Sequence, residues 1–303
     1  MLQFLEMQNA EFVQFKTADG LTLPGLLFGP KGSNKAVIYL HGNGSSSVFY
    51  SDDYSLASEL NKNGIAMLLF NNRGAGLIKK LNVLKSGEIE RKRFGCAYEK
   101  IKECVEDIDA AIAFLEQKGY QEFYLMGLST GANKICVYDH YHPQNKINKY
   151  ILLAGGDDTG IYYNLLGEEK FNQLLKKSKE MIKKLKSEEL ISELMPENIF
   201  SYKGFYDISN PDGDYNTFPF YEKINNVKLS KKPLFRYFKS IARPSLVIYG
   251  ELDEYAWGDV PKIVNILKDY RPEFAYEILK GADHSFTGKK KELAEIVIKW
   301  LNL

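Results

Sequence analysis

The sequence predicts an α/β protein with a doubly wound, mostly parallel sheet. Several short apolar runs, such as Ala36–Leu40 and Ser245–Tyr249, do not alternate with polar residues. Such runs are typical of strands that are covered on both faces. Longer amphipathic segments separate them, and a regular exchange of strand and helix is the pattern of a doubly wound sheet. A length of 303 residues favours one such domain with an insertion over two domains.

The first element expected is an antiparallel hairpin. Residues 11–29 alternate and turn at Asp19-Gly20. Apolar runs then mark the expected strands of the main sheet: Ala36–Leu40, Ile65–Phe70, Phe123–Met126, Tyr150–Ala154, Ser245–Tyr249 and Phe274–Leu279. The clearest helical spacing predicts helices over Tyr98–Lys118, which Gly119 ends, and over Lys289–Leu301.

One connection is far longer than a crossover needs. We expect residues 157–241 to form an inserted cap over a core made of residues 1–156 and 242–303. The insertion opens with a predicted basic helix over Glu168–Lys186, with these apolar residues on one side: Phe171, Leu174, Leu175, Ile182 and Leu185. An anionic substrate or a membrane surface could attract its lysines, but we expect a solvated face. The aromatic residues of the insertion fit either a hydrophobic substrate pocket or the cap's own core: Tyr162, Tyr163, Phe205, Tyr206, Phe218 and Phe220.

Composition excludes several classes of function. A formal net charge of +1 argues against nucleic-acid binding driven by bulk electrostatics. No apolar run reaches membrane-spanning length, and residues 1–6 do not resemble a signal peptide. The three cysteines, Cys96, Cys104 and Cys136, form no Cys-x-x-Cys pair and indicate reduced thiols. We therefore expect a cytoplasmic protein without a metal or other cofactor.

The most informative motif is the pentapeptide Gly127–Gly131, which has Ser129 at its centre. It follows an apolar run and precedes a helix-like segment, which is the sequence form of a nucleophile elbow. The two glycines leave room for a sharp turn that exposes the serine hydroxyl. The amino end of the following helix would stabilise negative charge beside it. The alternative is a glycine-rich turn with a capping serine.

A serine hydroxyl needs a base within hydrogen-bond reach. Of the four histidines, His41 precedes the elbow and is expected to be structural. His140 and His142 lie at the far end of the helix that leaves the elbow, more than two turns away. His284 follows the last expected strand, in a loop that returns to the same edge of the sheet as Ser129. It is the candidate base.

The base in turn needs an acid that orients it. The expected strand Ser245–Tyr249 is followed by Glu251, Asp253 and Glu254. We prefer Asp253, because it lies a few residues past the strand end, where a turn can direct it toward the histidine loop. Glu251 and Glu254 stay as alternatives. Asp283 is adjacent to His284, and we expect it to shape the turn instead.

These residues give the sequence a family resemblance. With Ser129, Asp253 and His284 in this chain order, and the turn Asn72–Gly74 after the second long strand, the whole chain resembles the α/β-hydrolase superfamily. The elbow, the segment Ser209–Tyr215 and the tripeptide Asp253–Tyr255 are similar to a subgroup that contains fungal siderophore esterases. Many relatives carry histidine where this chain has Leu128, so the resemblance does not carry over a substrate preference. It implies an α/β-hydrolase fold and a serine hydrolase.

The resemblance also implies an oxyanion hole. The superfamily takes one donor from the loop after the first long strand and one from the residue after the nucleophile. In this sequence those donors are the backbone N–H groups of Asn43 and Thr130. A phosphate-binding loop is a poor reading of the His41–Ser45 turn, because no Lys-Ser/Thr follows it. Gly74 and Gly76 lack the third glycine of a dinucleotide fingerprint.

The function expected from these residues is hydrolysis of a carboxylic ester of a small molecule through an acyl-enzyme. The same triad also serves thioester, lactone, amide or carbon-carbon hydrolysis, and these stay as alternatives. A non-catalytic binding protein of the same fold is the alternative from another class. Epoxide and haloalkane hydrolases are disfavoured, because they usually place aspartate where Ser129 stands.

Overall fold

The computed structural model describes residues 10–30, 32–49 and 53–303. Its strands are β1 (Ala10–Lys16), β2 (Thr22–Phe28), β3 (Lys35–Leu40), β4 (Ala66–Phe70), β5 (Lys79–Lys85), β6 (Glu88–Phe94), β7 (Glu122–Leu128), β8 (Ile147–Leu153), β9 (Ser245–Gly250) and β10 (Ala275–Leu279). Its α-helices are α1 (Asp53–Lys62), α2 (Cys104–Gln117), α3 (Thr130–Tyr141), α4 (Asp158–Leu166), α5 (Glu168–Lys183), α6 (Tyr202–Ser209), α7 (Phe220–Asn225), α8 (Arg236–Ser240), α9 (Val260–Tyr270) and α10 (Lys290–Leu301).

Eight strands form one sheet in the order β1-β2-β4-β3-β7-β8-β9-β10. The strands from β4 to β10 in that order run parallel, whereas β1 pairs antiparallel with β2, and β2 with β4. Every residue of β4 and β9 is buried, as the unbroken apolar runs predict. The doubly wound, mostly parallel sheet and the leading hairpin are therefore confirmed. The loops that follow β3, β7, β8, β9 and β10 lie together at the carboxyl edge of the parallel strands.

Two predicted helices have different ends in the structure. The segment predicted to start at Tyr98 begins as a 3-10 turn over Ile101–Glu103, and α2 proper starts at Cys104. Helix α5 ends at Lys183, because Leu185 adopts a φ of 61°, which a helix cannot include. Leu185 is 93% exposed, so its predicted place on the buried side of the helix is wrong.

The sequence analysis missed the antiparallel hairpin of β5 and β6. Most of its side chains are exposed and charged, so it lacks the apolar signal of a core strand. Backbone contacts fix its base: Leu21 bridges Val83, and Leu84 N–H donates to Gly20 O at 3.0 Å. Gly20 has a φ of 91°, and a Cβ there would lie 2.0 Å from Leu84 O, so this contact requires glycine.

The residues between β8 and β9 fold into helices α4 to α8. Aromatic side chains form much of their core: the rings of Phe218 and Phe220 stack at 5.9 Å, and Phe238 lies 5.6 Å from Phe218. Of the alternatives for these aromatics, Phe205, Phe218 and Phe220 are core residues with at most 2% exposure. The division into a core and a 157–241 cap stays a prediction. Among the helices described, none combines the length and apolarity that crossing a bilayer requires.

Candidate active site

The elbow at Ser129 joins the end of β7 to the start of α3. A Cβ at Gly127 would lie 2.3 Å from the backbone of Gly131, and a Cβ at Gly131 would lie 2.1 Å from Leu40 O. Real Cβ atoms do not approach backbone atoms so closely, so strand and helix can meet here only with glycine at both positions. The glycines of the motif are thus required by packing within the turn.

Ser129 itself has a strained backbone. Its φ of 56° and ψ of −121° are unfavourable for a residue with a side chain and cost about 1–3 kcal/mol. The surrounding chain holds this conformation, since Ser129 N–H donates to Leu153 O at 2.9 Å. The residue is half-buried, unlike the fully buried residues that follow it in α3. A strained backbone with a partly accessible hydroxyl is the geometry that a nucleophile elbow predicts.

His284 and Asp253 form a direct pair. The Nδ1 atom of His284 lies 2.9 Å from Oδ1 of Asp253, and both residues are buried. The loop after β9 supplies the carboxylate and the loop after β10 supplies the imidazole, as the sequence analysis expected. The ring of Tyr255 packs against the imidazole with a centroid distance of 4.7 Å. Since a carboxylate accepts the Nδ1 proton, Nε2 of His284 is the nitrogen left to act as a base.

The other acidic residues near His284 have different partners. Glu254 accepts a hydrogen bond from the backbone N–H of His284 at 3.1 Å, and Glu251 accepts one from Gly281 N–H at 2.8 Å. Asp283 accepts from Thr287 N–H at 2.8 Å and so shapes its own turn. Of the three candidate acids, Asp253 is the one whose side chain binds the imidazole.

Ser129 and His284 lie at the same edge of the sheet, but the described residues include no hydrogen bond between their side chains. Asp158 lies near both residues. Its Oδ2 and the Oγ of Ser129 lie 3.6 and 3.7 Å from one point, the Cβ position of Gly156. Burial raises the pKa of Asp158 to about 6, and the nearby His284 opposes that rise. Catalytic hydrogen bonds are often long without substrate, so this geometry is compatible with a nucleophile and its base.

The predicted oxyanion loop lies beside the nucleophile. A Cβ at Gly42 would lie 3.3 Å from Cβ of Ser129 and 3.8 Å from its Oγ. Asn43 is exposed, and neither its backbone N–H nor that of Thr130 donates to an acceptor in the described turns and loops. Thr130 directly follows Ser129 in the chain, and Asn43 follows Gly42, whose Cβ position is close to Ser129 in space.

His41 is a structural residue, as expected. Burial and the nearby Lys134 ammonium lower its pKa to about 3, so the ring stays neutral at ordinary pH. Its Nδ1 lies 2.8 Å from Gly42 O. A neutral ring that donates to the next carbonyl helps to fix the turn that leads to Asn43. His140 and His142 contact Tyr237 and Asp109 instead of the elbow.

Asn133 is a positioning residue that the sequence analysis missed. It lies four residues after Ser129 on α3, and its amide both donates to Gly156 O at 2.9 Å and accepts from Gly156 N–H at 3.2 Å. These two hydrogen bonds to the backbone of Gly156 hold the loop after β8 beside Ser129. The sequence could have drawn attention to Asn133, because it is a polar residue one helical turn after Ser129. A single polar residue in a helix does not, however, identify its hydrogen-bond partner.

Two buried ion pairs stabilise α3 and the elements next to it. Lys134 Nζ lies 2.6 Å from Glu99 Oε1, and both side chains are almost fully buried. In the Asn72–Gly74 turn, Arg73 pairs with Asp107 at 2.8 Å. Removing one partner of a buried pair leaves an uncompensated charge, so these contacts hold α3 and its neighbours in one arrangement.

A cleft of about 820 Å³ lies elsewhere, beside the β5–β6 hairpin. Charged side chains such as Arg73, Arg93 and Glu188 line it. Ser129, Asp253 and His284 are not among its lining residues. Cavity size therefore does not identify the candidate active site, which rests on the side-chain geometry described above.

Solved structures share this fold at low sequence identity. Est1E from Butyrivibrio proteoclasticus, solved with ferulic acid bound, is 15% identical with a TM-score of 0.64, covering 95% of this chain and 98% of Est1E. The α/β hydrolase GrgF from Penicillium sp. sh18 is 18% identical with a TM-score of 0.63, covering 97% of both chains. The esterase Pf2001 from Pyrococcus furiosus is 18% identical with a TM-score of 0.56, covering 97% of this chain and 90% of Pf2001.

These matches confirm that the chain has the α/β-hydrolase fold. No curated protein gives a significant sequence match. A family model described as "Protein of unknown function (DUF1749)" matches residues 93–302, a span that includes Ser129, Asp253 and His284. Since this match covers more than half of the sequence, the chain belongs to the DUF1749 family.

Proposed function

We propose that this protein is a serine hydrolase that cleaves a carboxylic ester of a small molecule through an acyl-enzyme intermediate. The observation that carries the proposal is the 2.9 Å contact between Asp253 and His284, at the sheet edge where Ser129 forms a strained elbow. A structural serine would not require the backbone strain or the two crowded glycines of this turn.

In the proposed mechanism, Ser129 Oγ attacks the ester carbonyl carbon while His284 Nε2 accepts the hydroxyl proton. Asp253 orients the imidazole and stabilises its cation. The N–H groups of Asn43 and Thr130 donate to the oxyanion of the tetrahedral intermediate. The intermediate collapses, the carbon–oxygen bond to the alcohol breaks, and His284 protonates the leaving alkoxide. Water then attacks the acyl-enzyme with the same base, which releases the acid and restores Ser129.

Esters are the preferred substrate class because the structural neighbour Pf2001 is described as an esterase. The neighbour Est1E was solved with a carboxylic acid, ferulic acid, bound.

We also propose that residues 157–241 act as a cap on this site. Tyr215 supports this role, because its hydroxyl donates to Oγ1 of Thr130 at 3.3 Å. Phe218 packs so closely on Gly155 that a Cβ there would lie 2.6 Å from the ring. The insertion thus contacts both the elbow and the loop that follows β8.

The test of the proposed function is ester turnover by purified protein. With 4-nitrophenyl butyrate, we expect Ser129→Ala to lower kcat by roughly a thousandfold or more, since loss of the nucleophile leaves only binding and oxyanion stabilisation. Ser187→Ala, in the segment after α5, is the matched control and should keep wild-type turnover. Equal rates for Ser129→Ala and the wild type, with both samples folded, would contradict the proposal.

A further inference from the structure

Asp158 carries a carboxylate oxygen that has no partner. Its Oδ2 is buried, yet among the described residues no group hydrogen-bonds to it. Both this atom and Ser129 Oγ lie within 3.7 Å of the position that a Cβ on Gly156 would take. A buried, unpaired carboxylate oxygen is costly, and it lies beside the nucleophile.

Helix capping does not account for Asp158. The cap of α4 is the preceding residue, Asp157, which accepts hydrogen bonds from Gly160 N–H at 2.9 Å and Tyr221 N–H at 2.5 Å. Asp157 therefore already binds an orphan donor at the start of the helix. Asp158 gains from the helix dipole, but that interaction leaves Oδ2 without a hydrogen bond.

The two cationic or titratable groups near Asp158 already bind other carboxylates. Lys134 lies in its surroundings but pairs with Glu99 at 2.6 Å, and the His284 imidazole already binds Asp253. Burial raises the pKa of Asp158 to about 6, while nearby His284 lowers it. The carboxylate is therefore mostly ionised at neutral pH and has a charge available for a ligand.

We propose that Asp158 forms a subsite for a cationic group of the substrate, placed a few bonds from the scissile carbonyl. This inference rests on the proposed function and names the substrate class of that site as esters that carry an ammonium group. When such a substrate binds, its cation neutralises the buried carboxylate and fixes the carbonyl near Ser129 Oγ. A neutral ester of the same shape leaves Oδ2 desolvated and unpaired, which selects against it.

Two pairs of esters of matched shape test the charge preference. Alanine methyl ester and methyl isobutyrate differ by an ammonium on the acyl side. Butyrylcholine and 3,3-dimethylbutyl butyrate differ by a quaternary ammonium on the alcohol side. We expect the wild type to favour the cationic member of at least one pair in kcat/KM by about tenfold or more, the range of a hydrogen bond or contact to a charged group.

Two variants test the assignment to Asp158. Asp158→Asn should lower the cationic-to-neutral ratio by about tenfold, because it removes the charge and keeps the shape. Gly156→Ala should lower the same ratio, because its methyl group would lie in the gap at 3.6 Å from Asp158 Oδ2. Glu168→Gln, an exposed acid in the first turn of α5, controls for net charge. Circular dichroism and melting temperature check that each variant is folded.

The outcomes separate this inference from the proposed function. An unchanged ratio in Asp158→Asn overturns the subsite. An equal loss of kcat for cationic and neutral esters also overturns it, and indicates that Asp158 acts through His284. If the wild type takes up a fluorophosphonate at Ser129 but favours neutral esters in both pairs, or hydrolyses none of the four, the subsite is wrong and the serine assignment stands. Absence of both labelling and turnover overturns both.

Discussion

At the residue scale, three carboxylates approach the His284 loop and each binds a different atom of it. Asp253 binds the imidazole Nδ1, Glu254 the backbone N–H of His284, and Glu251 the N–H of Gly281. One carboxylate thus sets the ring's tautomer, while the other two hold the loop. The sequence could place all three near the histidine, but the choice among them depends on turn geometry that residue types do not encode.

This division of roles predicts unequal losses on substitution. Asp253→Asn should reduce kcat by roughly ten-thousandfold, the loss found when a triad aspartate becomes asparagine and the wrong imidazole tautomer is favoured. Glu254→Gln keeps an oxygen that can accept from His284 N–H, so its kcat should fall far less. Steady-state kinetics on one ester compares the two. A larger loss for Glu254→Gln would identify Glu254 as the orienting acid.

The elbow glycines make a second prediction at this scale. Gly127→Ala places a methyl group 2.3 Å from the Gly131 backbone, so we expect a loss of about 1–3 kcal/mol or more in the free energy of unfolding. Gly156→Ala is the matched comparison, because its Cβ meets ordinary contact distances of 3.6 and 3.7 Å. Urea unfolding measures both. Similar stability of the two variants would mean that the turn relaxes around the added methyl.

The residues of the candidate site differ in how clearly the sequence identifies them. Ser129 was identifiable because glycines flank it at fixed positions between an apolar run and a helix. Asn133 and Asp158 were not, because the contacts that distinguish them depend on the loop after β8 crossing beside α3. That contact joins segments that are distant in sequence and follows only from the assembled sheet.

At the element scale, a buried side chain at the start of α4 connects two helices of the insertion. Asp157 caps α4 and also binds Tyr221 N–H at the start of α7, so one side chain joins two helices of the insertion. The residue is buried, with 3% exposure. Its two hydrogen bonds are therefore shielded from water, unlike those of a surface cap.

Removing this cap should cost more than removing an exposed one. We expect Asp157→Ala to lower the free energy of unfolding by about 2 kcal/mol or more, since it strands two backbone donors. Asp259→Ala is the matched control, because Asp259 caps α9 through one hydrogen bond, to Lys262 N–H at 3.0 Å. Its expected loss is about 1 kcal/mol. Equal losses by chemical denaturation would contradict a joint role for Asp157.

Sequence patterns predicted the buried elements better than the exposed ones. Strands such as β4 and β9 are buried throughout, so their unbroken apolar runs marked them to within about one residue at each end. The β5–β6 hairpin was missed because backbone pairing and the contact at Gly20 hold it, with little apolar periodicity. The end of α5 was missed because helical spacing continues to Leu185, whereas a positive φ at that residue stops the helix.

At the whole-molecule scale, buried carboxylates make stability depend on pH. Burial raises the pKa of Asp207 from its ordinary value of 3.8 to about 7. Between these values the folded chain binds more protons than the unfolded chain, so this residue makes stability fall as pH rises from about 4 to about 7. Asp207 accepts a hydrogen bond from Ile101 N–H at 2.6 Å, which joins α6 to the 3-10 turn that precedes α2.

Replacing this carboxyl with an amide should remove its share of the dependence. Asp207→Asn keeps an oxygen for Ile101 N–H but cannot ionise. Its free energy of unfolding, relative to the wild type, should therefore rise steadily between about pH 4 and pH 7. Asp269→Asn, an exposed acid at the end of α9, is the control and should show no such trend. A constant difference between Asp207→Asn and the wild type would contradict the raised pKa.

For the molecule as a whole, the sequence predicted the sheet and the order of the candidate residues along the chain. It did not predict how the interior of the insertion packs. Apart from the β5–β6 hairpin, strand and helix alternate from β3 to β8, so the fold class followed from pattern alone. The insertion has short helices whose mutual contacts are largely aromatic, as between Phe218 and Phe238. Such contacts have no sequence period, so the sequence does not predict how these helices pack together.

The central claim is that Ser129 is a nucleophile activated by His284. The most direct test is labelling of the full chain with a fluorophosphonate, followed by mass spectrometry that maps the adduct. We expect one adduct, on Ser129, which is absent in Ser129→Ala, much slower to form in His284→Ala and unchanged in Ser187→Ala. Folded wild-type protein that forms no adduct, or forms it on another residue, would contradict the account.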